Sequence, residues 1–340
     1  MSARPPMQAL THELLTLADT TALIQAGKAC CIAADEALLR RLPRGNWIGG
    51  TIPYFMAHQG GTCSRDQLFV AELATEGGGR PTVRCYDRHS LRNVCLDSPD
   101  HGFSVMVLPA FSAVHEAFAQ EAPDYPDMYM KPLVGWIAGV HLDDIGRATP
   151  QVIDGSSGEL LRDAAVVMHI PLPPQWAAHV DIINLFVPGS GPELRFPQGG
   201  FSGGDCLIGG QPGNLHDWLV AQRVDTRLPL VADYHGAMVN VSIKALDPAQ
   251  RKVEFYAPVF ADVPYRVAEP VGDYARAFEV ASLHSQVPGE LVFCCNCILN
   301  YAYGNLQGRR TGAMVGPMTF GEIGYQLLNQ TMVHLSLVPA

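Results

Sequence analysis

The sequence predicts an α+β protein built as two layered α/β halves, with mixed or antiparallel sheets flanked by helices. Three observations predict it. Short apolar runs alternate with amphipathic stretches through the first half, as expected of stacked strands and helices. Glycine or proline closes most of these runs. In the second half, two alternating runs joined by a short polar connection read as a β-hairpin. The 340 residues, 48% hydrophobic and 16% charged, suffice for two or three packed cores.

Residues 12–26 set Leu14, Leu15, Ala18, Ala22 and Leu23 at helical spacing, so an amphipathic helix closed by Gly27 is expected there. ACCIAA (29–34) is a short buried strand, and Asp35 caps a short helix, EALLRRL. NWIGGTIPY (46–54) reads as a strand ended by Pro53, and QLFVAELA (67–74) as another before the glycine turn at 77–79. GFSVMVLP (102–109) is a strand, followed by a helix at 113–122 with Ser112 as its cap. PLVGWIAG (132–139) and AAVVMHI (164–170) complete the strands of the first half.

Between 171 and 235 the chain is dense in proline and glycine, which places loops there and a domain boundary near 172–176. The two halves are therefore expected at 1–172 and 173–340. AMVNVSIKAL (237–246) and KVEFYAPVF (252–260) form the hairpin, with Val239, Val241 and Ile243 on one face. GDYARAFEVASL (272–283) is a helix and GELVFCCNCIL (289–299) a strand. Thr319-x-x-Glu322 matches a capping box, so 319–330 is expected to be a helix, leading into a final strand at 331–338.

The formal charge of −10 and the lack of a basic stripe argue against a nucleic-acid partner. No run of 18 apolar residues occurs, so no membrane span is expected. The N-terminus lacks the apolar core of a signal peptide, and nine cysteines, two pairs of them adjacent, suit reduced thiols in the cytoplasm.

Cysteine draws attention to FCCNCILNYAYGNLQGRRTG (293–312). Cys294 and Cys297 form a C-x-x-C, but no second pair exists to complete a zinc site. A nucleophilic role for Cys295 needs a nearby histidine; His284 and His334 share its half without diagnostic spacing. Arg309 and Arg310, between Gly308 and Gly312, could fork onto a carboxylate or phosphate. The glycine-rich 199–210 segment lacks the lysine of a phosphate loop. His141-x-Asp143-Asp144 and Asp233-x-His235 hold metal-ligand types without a diagnostic pattern. His115, on a helix, and His169, on a strand, read as satisfied core histidines. No G-x-S-x-G elbow occurs.

LVFCCN, the glycine-flanked arginine loop and GPMTFGEIGYQLLNQTMVHLSL together resemble the C-terminal end of FIST sensory domains. The matching residues are Cys295, Asn296, Gly316, Gly321, Glu322, Ile323, Asn329, Gln330 and Thr331. The strand–helix–strand of 29–53 is compatible with that family's opening, although Gly49 to Tyr54 lacks most of its polar groups. The resemblance implies a cytoplasmic, non-enzymatic module that senses a small ligand and signals through a partner protein. It also implies haem as one candidate ligand, bound by an axial His, Cys or Tyr. The ligand is expected in a cleft between the halves. Its wall is expected to include Cys295, Asn296, Tyr301, Arg309, Arg310, Glu322 and Tyr325. The rival readings are a hydrolase or transferase acting through Cys295, and a scaffold with no ligand.

Overall fold

The computed structural model describes residues 10–73, 77–234, 237–285 and 289–340. The protein is α+β, as the alternation of runs predicts. Six α-helices are described: α1 Leu17–Gln25, α2 Glu36–Leu39, α3 Ala113–Glu121, α4 Leu215–Gln222, α5 Tyr274–His284 and α6 Ile298–Tyr303. His235, of the Asp233-x-His235 pair, lies outside the described residues.

Three six-stranded sheets form the body. Sheet A runs in the order His12–Leu15, Leu68–Glu72, Cys30–Ala34, Trp47–Thr51, Val152–Asp154, Glu159–Leu161. Sheet B runs Gln326–Leu328, Glu322–Gly324, Leu133–Ala138, Gly102–Pro109, Ala165–Pro171, Thr82–Tyr86. Sheet C runs Trp176–Asn184, Thr331–Pro339, Glu290–Cys297, Gly316–Thr319, Tyr54–Ala57, Gly60–Cys63. Sheets B and C each contain strands from both sides of residue 172, so the two halves share hydrogen-bonded ladders. Gly50 lets sheet A approach sheet B: a Cβ there would lie 2.8 Å from Val107 and 3.0 Å from Trp136. The core follows, with Phe55, Trp136 and Phe293 fully buried in one cluster.

Three-stranded sheets fill residues 194–267. One of them, sheet D, sets Gly200–Gly203 and Ile243–Asp247 on either side of Lys252–Val259. Of the hairpin read over 237–246 and 252–260, Ile243–Asp247 pairs with Lys252–Val259 as expected, but Ala237–Val241 pairs instead with Leu230–Tyr234 in another sheet.

Three further expectations are corrected. The span 171–235 is not mainly loop: it holds the strand Trp176–Asn184, the helix α4 and the strand Leu230–Tyr234. Residues 12–15 are not helical; they pair antiparallel with 68–71, and α1 begins only at Leu17, capped by the Thr16 hydroxyl. Residues 319–330 are not a helix either. Glu322–Gly324 and Gln326–Leu328 form a hairpin that turns at Tyr325, whose φ is 65°. The backbone there spends its hydrogen bonds on the strand Leu133–Ala138: Phe320 N donates to Ile137 O at 3.0 Å, and Ile137 N to Gly321 O at 2.9 Å. The capping box fails with the helix. The Thr319 hydroxyl donates to Asn296 O and Gly321 O, and Glu322 accepts from Thr331 instead.

Candidate functional site

The strand Gly102–Pro109 ends in a tight turn into α3. Phe111 in that turn takes φ 63°, a left-handed conformation that costs energy for a bulky residue. The strained turn holds Phe111 out from the body at 52% exposure, with its ring edge-on to Phe320 at 6.0 Å. Ser112 then caps α3 by accepting from the amide of His115. His115 thereby enters the first turn of α3 pointing at sheet D.

Phe111, His115 and Phe320 form one wall of a cleft of about 380 Å³. Sheet D supplies the facing wall through Phe201, Phe255 and Tyr256, and α6 closes the floor with Ile298 and Leu299. The cleft therefore draws on both halves of the chain. Sheet D is irregular just here. Its ladder shifts register between Gly200 and Ser202, and again between Ile243 and Ala245. The residues at these shifts, Phe201 and Lys244, both line the cleft. Bulges re-aim side chains and concentrate beside functional sites.

The lining is apolar with a few polar groups. His115 is only 7% exposed, and its Nε2 has no hydrogen-bond partner. Burial holds its pKa down to about 4, and a helix N-terminus acts in the same direction, so the ring is neutral at pH 7. Lys244 is paired with Glu254 at 3.0 Å. Glu116, on the exposed side of α3, makes no ion pair among the described residues. An unsatisfied buried nitrogen costs stability unless something else satisfies it. A lining of this type, aromatic and apolar with one placed polar atom, suits non-covalent binding of a small organic molecule.

None of the seven residues expected to form the ligand wall lines this cleft, although their neighbours Ile298, Leu299 and Phe320 do. The seven divide among three places. Cys295, Asn296 and Glu322 are buried in a seam between sheets B and C. The Cys295 thiol donates to Gly135 O at 3.2 Å, and burial raises its pKa well above the ordinary thiol value. Asn296 Oδ1 accepts from Asn300 Nδ2 at 2.9 Å. Glu322 accepts from the Thr331 hydroxyl at 2.8 Å, and burial pushes its pKa up to about 8. Tyr301, in α6, and Arg309 and Arg310, in the loop after it, lie beside the strand Gly60–Cys63. Tyr301 bonds Gln307 and meets Tyr54 edge-on, while Arg309 forks onto both oxygens of Asp273 at 2.5 and 2.6 Å. Arg310 faces an open groove beside it. Tyr325 sits at the hairpin tip, 6.0 Å from the ring of Tyr129.

The other chemical candidates have structural explanations. His169 is satisfied at both nitrogens, by Tyr86 and by Ser104, each at 2.8 Å. Ser285, Asp181 and His334 meet, yet Ser285 and Asp181 both face the same imidazole nitrogen, at 3.0 and 3.5 Å. A nucleophilic triad needs them on opposite nitrogens. Among the described residues no cluster of His, Cys, Asp or Glu is arranged to hold a metal, and no helix is long and apolar enough to cross a membrane. All nine cysteines are unpaired.

His115, expected from its helix to be a satisfied core histidine, is left unsatisfied at Nε2. One signal was available, a histidine three residues after the Ser112 cap, but the pattern cannot show what faces it. Comparison with curated proteins finds no match. A family model does match, over residues 15–338, and is described as a family of unknown function (DUF6976). The chain belongs to that family.

Proposed function

We propose that this protein binds a small, mainly apolar organic ligand in the cleft between α3, sheet D and α6, and acts without chemistry of its own. One observation carries the reading: a buried, unpartnered His115 Nε2 at an aromatic-lined cleft. A sensory role in the cytoplasm, passing ligand occupancy to a partner protein, accords with this and rests on the resemblance to FIST domains. Because sheet D and α6 belong to the second half and α3 to the first, a ligand would bridge them.

Haem fits the lining poorly. His115 could serve as an axial ligand, but the two propionates need cations, and Lys244 is already committed to Glu254 while Glu116 adds negative charge. A hydrolase or transferase using Cys295 also finds little support, since a thiol nucleophile needs a stabilised thiolate and access. Iodoacetamide should label exposed Cys85 first and leave Cys295 unmodified in the native protein. Fast, selective labelling of Cys295 would revive the enzyme reading.

A thermal-shift screen of small aromatic molecules tests the binding proposal. A ligand present at about 100 times its Kd should stabilise the fold by about 2.7 kcal/mol. The shift should disappear in Phe201→Ala. Shifts that persist unchanged in that variant would place binding elsewhere.

A further inference from the structure

We propose that the cleft selects an uncharged aromatic molecule carrying a hydroxyl group, with its ring among Phe111, Phe201 and Phe320 and its hydroxyl on His115 Nε2. This inference rests on the reading of the cleft as a ligand site. Three observations on that site lead to it.

The first is the single unmet polar demand. Among the described residues lining the cleft, His115 Nε2 is the buried side-chain atom left without a hydrogen bond. A ligand that is apolar throughout would leave it so, at a cost of about 1–3 kcal/mol. A hydroxyl can donate or accept, so it satisfies Nε2 in either tautomer of a neutral ring.

The second is charge. Lys244 and Glu254 neutralise each other at 3.0 Å, Glu116 is uncompensated, and the imidazole is neutral at pH 7. A carboxylate or phosphate entering the cleft would lose water without gaining a counter-ion. An anionic ligand of the kind the arginine pair suggests would belong to the separate groove that Arg309 and Arg310 line.

The third is shape. Phe111 and Phe320 meet edge-on at 6.0 Å, and Phe201 lies tilted against His115 at 6.4 Å. Aromatic faces and edges presented this way favour a planar guest. Phe320 itself reaches the cleft over Gly139, where a Cβ would lie 2.2 Å from its ring.

Four probes that share one ring test the inference: 4-methylphenol, toluene, 4-methylbenzoate and 4-methylbenzylamine, titrated by ligand-detected NMR into wild type and His115→Leu. The expected result is 4-methylphenol at least about tenfold tighter than toluene, with both charged probes weaker. In His115→Leu the phenol should fall to the level of toluene, and toluene should be unchanged. Equal binding of 4-methylphenol and toluene, or a preference that survives His115→Leu, overturns the hydroxyl assignment while the cleft remains a binding site. Tightest binding of 4-methylbenzylamine overturns the uncharged assignment and points to Glu116. If all four fail to bind wild type, the cleft reading falls together with this inference. Should His115→Leu not fold, the wild-type ranking alone decides.

Discussion

His115 and His169 are the same residue in nearly the same burial, 7% and 2% exposed, and burial holds the pKa of each down to about 4. Their surroundings differ. His169 is locked into a chain in which Ser104 faces Nδ1, Tyr86 faces Nε2 and Tyr86 donates onward to Asp97 at 2.9 Å. His115 leaves Nε2 unpaired at a cleft. The difference separates a histidine whose hydrogen bonds are all met within the fold from one whose Nε2 is buried without a partner. Burial and a shifted pKa are common to both, so neither property marks a site; what sets His115 apart is an unpaired nitrogen on a residue that lines a cleft.

The comparison breaks most readily on stability. His169→Leu should cost about 2–4 kcal/mol in urea unfolding, because Tyr86 and Ser104 each lose a buried partner. His115→Leu should stay within about 1 kcal/mol of wild type, since no protein hydrogen bond at Nε2 is lost. A large loss for His115→Leu would mean that the nitrogen is satisfied after all.

Next in size is Gly139→Ala. The added methyl meets the Phe320 ring at 2.2–2.6 Å and must displace it, at a cost of about 1–3 kcal/mol. Binding of 4-methylphenol should weaken in parallel. Unchanged affinity would show that Phe320 is not part of the ligand wall.

Glu322 extends the comparison to a carboxyl group. Its pKa rises from an ordinary 4.5 to about 8, chiefly through burial. The folded state therefore holds a proton that the unfolded chain releases between these values. The Glu322 contribution to stability should fall as pH rises from about 4.5 to about 8, so the stability of Glu322→Gln relative to wild type should rise over that window in pH-dependent unfolding. A constant stability difference between the two proteins across that window would show that Glu322 does not titrate in this way.

A further effect is the acid limb of His115. Its folded pKa lies below the ordinary 6.5, so the unfolded state takes up a proton first and stability is lost as pH falls from 6.5 through about 4. His115→Leu should lose less stability over that window than wild type. His115→Leu cannot change the hydrogen bonds around His169, so an altered Tyr86 environment in that variant would blur the distinction between the two sites.

Much of the fold was legible because its signals are local. The Asp35 and Ser112 caps, the apolar strand 102–109 and the 243–259 hairpin each depend on residues close in sequence. The errors arose where distant partners decide. Thr319-x-x-Glu322 is a genuine helix signal, yet Phe320 to Tyr325 find their backbone partners between Leu133 and Ala138. Leu14 and Leu15 fit a helical pattern, but Phe69 and Leu68 claim them for sheet A. The cleft was least legible of all. It collects residues from 110–116, 142–145, 201–202, 244–256 and 298–320, and its irregular features at Phe111, Phe201 and Lys244 are backbone properties. The attention drawn to Cys295 and Glu322 fell on residues beside the cleft floor, where sequence clustering reflects a buried seam between sheets.

Histidine-detected NMR of the wild-type protein during titration with 4-methylphenol addresses the central claim most directly. The account predicts saturable shifts of the His115 ring signals, while those of His169 stay fixed. Fixed His115 signals at saturating probe, or equal movement of both rings, would contradict it.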